Sequence, residues 1–175
     1  MQFKLLNSRI VYPGHAFTIR VDTLQLPDGH EAHFDIVEHA GSVIIIPLDA
    51  EGNLLFVRQY RHAAGLDLLE LPAGTLNANE SPEACARREI REETGMAAGQ
   101  MEYLGGFYLA PGYSTEYMTV YLATDLRHDP LEADADEFLS VESHSLAETM
   151  ALCESGKILD AKSLAAYALA RPRLK

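Results

Sequence analysis

The sequence predicts an α/β fold, a single layered domain preceded by a small antiparallel β extension. Three observations carry that prediction. Apolar runs of strand length recur through residues 43–61 and 102–123. A capped helical pattern over 82–94 interrupts them, and two more helical patterns close the chain at 145–156 and 160–170. Strands broken by one helix and followed by two others suit helices packed on a sheet.

The elements follow in order. Residues 3–11 and 16–26 read as two strands joined at Pro13-Gly14. Phe17, Ile19 and Val21 alternate with polar residues, the period of a half-buried strand. Pro27-Asp28-Gly29 is a hairpin turn, and 31–38 is the returning strand. Such an extension is too small to stand alone. Val43–Leu48 is an unbroken apolar run, fitting a strand buried on both faces. A turn at 49–53 leads to the strand Leu54–Arg61, on which Arg58 and Arg61 face opposite sides. They serve one site only if the strand bulges or ends there. Glu102–Leu109 and Tyr117–Ala123 are further strands, the second with Met118, Val120 and Leu122 alternating against Tyr117, Thr119 and Tyr121. Residues 129–137 read as an acidic surface loop before a short strand, 138–141. Ser145 caps the next helix with Glu148 completing a capping box, and Gly156 stops it. The last helix is expected to bury Leu164, Tyr167 and Ala168 on one face.

Bulk numbers narrow the function. With 175 residues and 47% hydrophobic content, the chain has enough for one well-formed core. No run is long enough to span a membrane, and the N-terminus lacks a secretory pattern, so a cytoplasmic protein is expected. A formal charge of −12 argues against nucleic acid as a partner. It also means that an anionic substrate needs local cations. The seven histidines show no zinc-ligand spacing, and His30 and His33 fall on the exposed hairpin. Cys85 and Cys153 are expected to be reduced.

The stretch Gly74–Met96 organises the rest. Pro82 suits a first helical turn, Ser81 is a good N-cap and Gly95 a left-handed stop. At about 100° per residue, Glu89, Glu92 and Glu93 share one helix face beside Ala86 and Ile90. Arg87 and Arg91 point away, and Arg88 sits one turn before Glu92. Packed carboxylates are tolerable if solvated, paired with arginine or bound to a hard cation such as Mg²⁺ or Mn²⁺. Cys85 lies one turn before Glu89. A space-filling thiol beneath the acids is favoured over a ligand, because hard cations avoid sulfur.

These residues resemble the signature of the Nudix hydrolases, Gly-x5-Glu-x7-Arg-Glu-U-x-Glu-Glu-x-Gly-U, where U is a bulky aliphatic residue. Gly74, Glu80, Arg88, Glu89, Ile90, Glu92, Glu93, Gly95 and Met96 fill every fixed position. The resemblance implies an α/β/α sandwich around a mixed sheet, spanning 39–175, and a metal-dependent pyrophosphohydrolase. It implies Mg²⁺, or Mn²⁺, held by Glu89, Glu92, Glu93 and the Ala73 carbonyl. Glu80 and Arg88 are expected to hold loop and helix together by ion pairing.

Within the family, Arg58-Gln-Tyr-Arg61 and Glu70-Leu-Pro-Ala-Gly74 resemble segments of the ADP-ribose pyrophosphatases. So does Pro111, fifteen residues past Met96, with the loop Pro111–Glu116. The resemblance implies substrate contacts from Arg61, Pro111, Gly112, Tyr113 and Glu116, with Arg58 either a contact or an ordinary surface arginine. Tyr108, Tyr113 and Tyr117 are candidates to stack on adenine. A late-loop glutamate serves as general base in this branch; Glu137 matches best by position, with Glu132 and Asp136 as rivals. Residues 1–38 resemble the branch's intertwined dimerisation region. The implied substrate is ADP-ribose, cleaved to AMP and ribose 5-phosphate. Another nucleoside diphosphate sugar such as GDP-mannose, or a non-catalytic nucleotide-binding module, are the alternatives.

Overall fold

The computed structural model describes residues 2–132 and 138–174. Contacts divide the chain into two compact units, residues 1–41 with 107–117, and residues 42–106 with 118–175.

The first unit is built on an antiparallel sheet in the order β1-β2-β3, with β1 Lys4–Pro13, β2 Thr18–Gln25 and β3 Glu31–Glu38. The β2–β3 turn closes where Leu26 N–H donates to the His30 carbonyl, with Gly29 at φ 91°. The segment 107–117 docks on the end of β3. Val37 N–H donates to the Tyr113 carbonyl (2.8 Å) and Thr115 N–H to the Val37 carbonyl (3.0 Å). His39 N–H donates to the Thr115 hydroxyl at 2.9 Å.

The second unit holds two sheets. One is mixed, in the order β7-β4-β9-β8, with β4 Ser42–Pro47, β7 Ala73–Thr75, β8 Met96–Tyr108 and β9 Tyr117–His128. In it β4 runs antiparallel to β7 and parallel to β9. The other is antiparallel, in the order β10-β5-β6, with β5 Asn53–Arg61, β6 Leu66–Glu70 and β10 Leu139–Ser145. Three helices complete the mixed α/β fold, α1 Pro82–Thr94, α2 Leu146–Glu154 and α3 Ala161–Ala170. Both α1 and α3 pack on β4, and α2 packs on β10 and β5. Cys85, Ala86 and Ile90 of α1 form a core with Val43, Ile45, Ala98, Tyr121 and Ala123. Among the described residues no helix is long and apolar enough to cross a membrane.

Two short strands, β6 and β7, separated by Pro72, precede the loop 76–81 that enters α1. Three expectations are corrected. β8 begins at Met96, directly after the helix stop, and not at Glu102. Met118–Ala123 is buried throughout instead of alternating, because β9 lies inside the sheet between β4 and β8. In α3 the buried residues are Ser163, Ala166 and Ala170, while Leu164 and Ala168 are exposed. Small side chains let that helix approach closely, and the Ser163 hydroxyl accepts from Leu71 N–H at 2.7 Å.

Candidate active site

Helix α1 positions the centre of the site. Ser81 accepts from Ala84 N–H as N-cap, Pro82 opens the first turn, and Gly95 takes the left-handed conformation at φ 71°. The cap fixes the register that puts Glu89 and Glu93 on the buried face, with relative exposures of 7% and 3%. Glu92 is half-buried beside them.

Arg88 ties this face together. Its Nε and Nη2 donate to the two Glu80 oxygens at 2.9 Å each. Its Nη1 donates to Glu89 at 2.6 Å and Glu92 at 2.8 Å. The paired guanidinium holds the Glu80 carboxyl down to about 2 and raises its own pKa in return. Asn77 N–H also donates to Glu80, at 2.9 Å, so Glu80 anchors the entry loop to the helix.

Strand β7 closes the other side. Ala73 N–H donates to Glu93 at 3.1 Å, which brings Ala73 to the carboxylate face. Gly74 is required sterically: a Cβ there would lie 1.9 Å from the Glu89 carboxylate. Cys85 is fully buried, with its thiol pushed up to about 12 by burial and by the neighbouring Glu89. Packed against the Thr75 carbonyl at 3.5 Å, it fills space beside Glu89.

The donors suit a hard divalent cation by chemistry, since Glu89, Glu92, Glu93 and Ala73 offer only oxygen. The carboxylates of Glu80, Glu89 and Glu92 share one Arg88 guanidinium, an excess of negative charge that a bound cation would offset. Among the described residues no three acidic, His or Cys side chains converge in a metal-binding cluster; the Arg88 fork reaches into the group instead.

Arg61 borders this centre. It pairs with Glu70 through two bonds, 3.0 and 2.7 Å, and its charge also acts on Glu93. Glu70 is almost fully buried at 1% exposure. Burial alone would raise its pKa, but Arg61 and Lys162 of α3 hold it below the usual carboxylate range. Arg58 is directed elsewhere. It pairs with Glu142 of β10 at 2.6 Å, as the alternation along β5 predicts.

Pro111, Gly112, Tyr113 and Glu116 lie in the first unit. Pro111 and Tyr113 line a cavity of about 370 Å³ there, with Arg20, Ile36, Tyr108, Ser114 and Thr115. Gly112 has open space where a Cβ would stand. Tyr108 and Tyr117 pack edge to face at 5.1 Å. Glu137 and its rival Asp136 lie outside the described residues, while Glu132 is exposed. The start of that loop is stitched to the end of α1. Asp129 N–H donates to the Gly95 carbonyl and Leu131 N–H to that of Arg91.

Sequence reasoning missed three participants. Lys162 and Glu70 form a buried pair 92 residues apart, invisible to local pattern. Arg20 reaches the first unit's cavity from mid-strand, and only its place in an alternating strand hinted at a facing role.

Comparison with known proteins agrees with this geometry. Residues 38–167 match the family model described as the NUDIX domain. An ADP-ribose pyrophosphatase of Bacillus subtilis (strain 168) is 33% identical over 177 aligned residues, covering 100% of this chain and 95% of that protein. An ADP-ribose pyrophosphatase of Mycobacterium tuberculosis (strain ATCC 25618 / H37Rv) is 43% identical over 126 residues, 71% of this chain and 61% of the relative. A crystal structure of an ADP compounds hydrolase superposes with a TM-score of 0.88 at 27% identity, covering 99% of this chain and 95% of that one.

Proposed function

The chain belongs to the Nudix family and is a diphosphatase, and from that premise we propose that it hydrolyses ADP-ribose to AMP and ribose 5-phosphate with Mg²⁺ or Mn²⁺. The observation that carries the reading is the buried pair Glu89 and Glu93 on a capped helix, beside Glu92 and Ala73. These four residues would hold the cation. When bound, it supplies positive charge against the pyrophosphate oxygens and a water of lowered pKa.

The chain's own groups do the rest. Arg88 keeps Glu89 and Glu92 in register and restrains their mutual repulsion until substrate enters. Arg61, locked by Glu70, presents a fixed guanidinium to a phosphate. Pro111, Gly112, Tyr113 and Glu116 take the nucleoside sugar. Glu137 takes the proton of the attacking water as its oxygen bonds to one phosphorus, and the bridging oxygen leaves with the other phosphate. The catalysis is positioning and electrostatics. Residues 1–38 form the dimerisation element of a homodimer, which the apolar exposed side chains of β1 support.

The test is turnover with Mg²⁺ on ADP-ribose, GDP-mannose, UDP-glucose and NADH side by side. A clear preference for ADP-ribose is expected. Preference for GDP-mannose would keep the metal face and discard the loop assignments. Silence on all four would favour a nucleotide-binding module. Glu137→Gln should depress kcat with KM little changed; wild-type kcat in that variant would move the base to another residue.

A further inference from the structure

The outer flank of α1 carries a second charged feature. Ala84, Arg87, Arg88 and Arg91 recur at helical spacing on that flank. With Ala97 and Ala98 of β8, Arg127 of β9, Asp129 and Leu131, they wall a cleft of about 550 Å³. The lining holds four guanidiniums and one carboxylate; Arg88 is committed to Glu80, Glu89 and Glu92 and Arg87 also pairs with Glu83, which leaves Arg127 as the lining charge without an ion-pair partner among the described residues.

The arginines are held in place. Arg87 donates to Glu83 at 2.9 Å and to the Ala98 carbonyl at 3.0 Å. Arg91 donates to the Asp129 carbonyl at 2.9 Å and pairs with its carboxylate at 3.3 Å. Each guanidinium has five N–H donors, so both retain unspent ones. Arg127 is exposed, and its side chain has no ion-pair or hydrogen-bond partner among the described residues. Ala84, Ala97, Ala98 and Leu131 add an apolar lining.

We propose that this cleft binds a phosphomonoester dianion carried on a small sugar or nucleoside. Guanidinium forks match the oxygens of a phosphate dianion, and several in one place favour two charges over one. The volume exceeds what a bare phosphate fills and falls in the range of small-molecule sites. The apolar lining gives the sugar or base a surface. Arg88 belongs both to this cleft and to the carboxylate face, so occupancy is felt at Glu89 and Glu92. Both products of the hydrolysis proposed above are phosphomonoesters. A product-sensing role therefore rests on that reading, while the binding itself does not.

The test uses the full chain stripped of divalent cations by chelation, so that anion binding does not report the metal face. AMP, ribose 5-phosphate, inorganic phosphate and uncharged adenosine are titrated while the arginine Nε–H resonances are followed. AMP and ribose 5-phosphate should bind saturably and shift the signals of Arg87, Arg91 and Arg127, with phosphate weaker and adenosine silent. Arg127→Ala and Arg87→Ala should each weaken binding by roughly tenfold, the loss of one charge-assisted contact. Arg173→Ala, which removes an exposed pair with Glu102, should bind as wild type. Arg127→Lys should fall between, keeping the charge without the fork. Wild-type affinity in both alanine variants, or no saturable shift in the parent chain, overturns the site. Phosphate binding as tightly as the esters overturns the ester assignment.

Discussion

Strands β4 and β1 both carry aliphatic side chains and meet opposite fates. All six residues of β4 are buried, and all ten of β1 are exposed. β4 lies between β7 and β9 and carries α1 and α3 against it. β1 is the edge of a three-stranded sheet, and its register with β2 shifts between Leu5 and Asn7 and between Ile10 and Tyr12. Such bulges discourage another strand from adding to the edge. Leu5, Ile10 and Tyr12 nonetheless stay open, at 56%, 60% and 57% exposure. The contrast shows that apolar content sets what a strand can bury, while its neighbours decide whether it does. Exposed apolar side chains on such a strand are what the proposed homodimer would cover.

The largest expected effect tests the buried side of the contrast. Ile44 is wholly buried in β4. Ile44→Ala should cost roughly 2–5 kcal/mol in chemical denaturation, through lost transfer energy and the cavity left. A cost below about 1 kcal/mol would mean that the strand's neighbours collapse around the gap and that its burial is not what anchors the unit.

Next comes the helix that β4 supports. Glu89→Gln keeps shape and hydrogen bonding but removes a buried charge. Turnover should fall roughly a hundredfold or more with the melting temperature little changed. Wild-type turnover would remove Glu89 from the metal set. Gly74→Ala tests the same point from the strand side, since its Cβ would lie 1.9 Å from the Glu89 carboxylate. Displacing that carboxylate should cost on the order of tenfold to a hundredfold in kcat. Unchanged kcat would show that Glu89 has room to move without consequence.

What could be read in the sequence follows the same physics. The cap at Ser81, the stop at Gly95 and the shared face of Glu89, Glu92 and Glu93 depend on residues within a few positions of one another. The structure places them as that local pattern predicts. The Glu80–Arg88 pair was legible too, because the matched signature includes both. Lys162 with Glu70 was not, since that contact joins residues 92 positions apart. Nor was the burial of Thr119 and Tyr121, which depends on β9 lying inside its sheet. In α3 the large side chains looked like the core, but close packing selected the small ones. The pairing of Arg88 with Glu89 and Glu92 was only half visible, as one possible neutralising contact.

A smaller effect lies in the pH dependence of that legible pair. Glu80 titrates near 2 in the folded chain against an ordinary value of 4.5. A lowered carboxyl contributes stability above the unfolded value and loses it as pH falls from about 4.5 through about 2. Glu80→Gln should therefore cost about 1 kcal/mol near neutral pH, as a half-buried pair does. Thermal melts of both proteins between pH 7 and pH 3 should converge as the pH falls. A gap that stays constant would make the loss one of packing rather than charge.

The smallest effect on the isolated chain tests the exposed side of the contrast. Ile10 points its side chain into solvent, so Ile10→Asp removes little that a single chain buries. At dilutions where the protein is monomeric, its unfolding free energy should change by less than about 0.5 kcal/mol. Assembly should respond very differently. If β1 lies in a homodimer, wild type sediments at twice the 19.3 kDa chain mass, and the aspartate places a charge in a desolvated contact. The variant should then sediment at the single-chain mass. Identical masses for the two proteins would remove β1 from any interface, and its exposed apolar side chains would need another partner. A large loss of stability in the dilute variant would instead mean that Ile10 is buried within its own chain, and the contrast with β4 would fall.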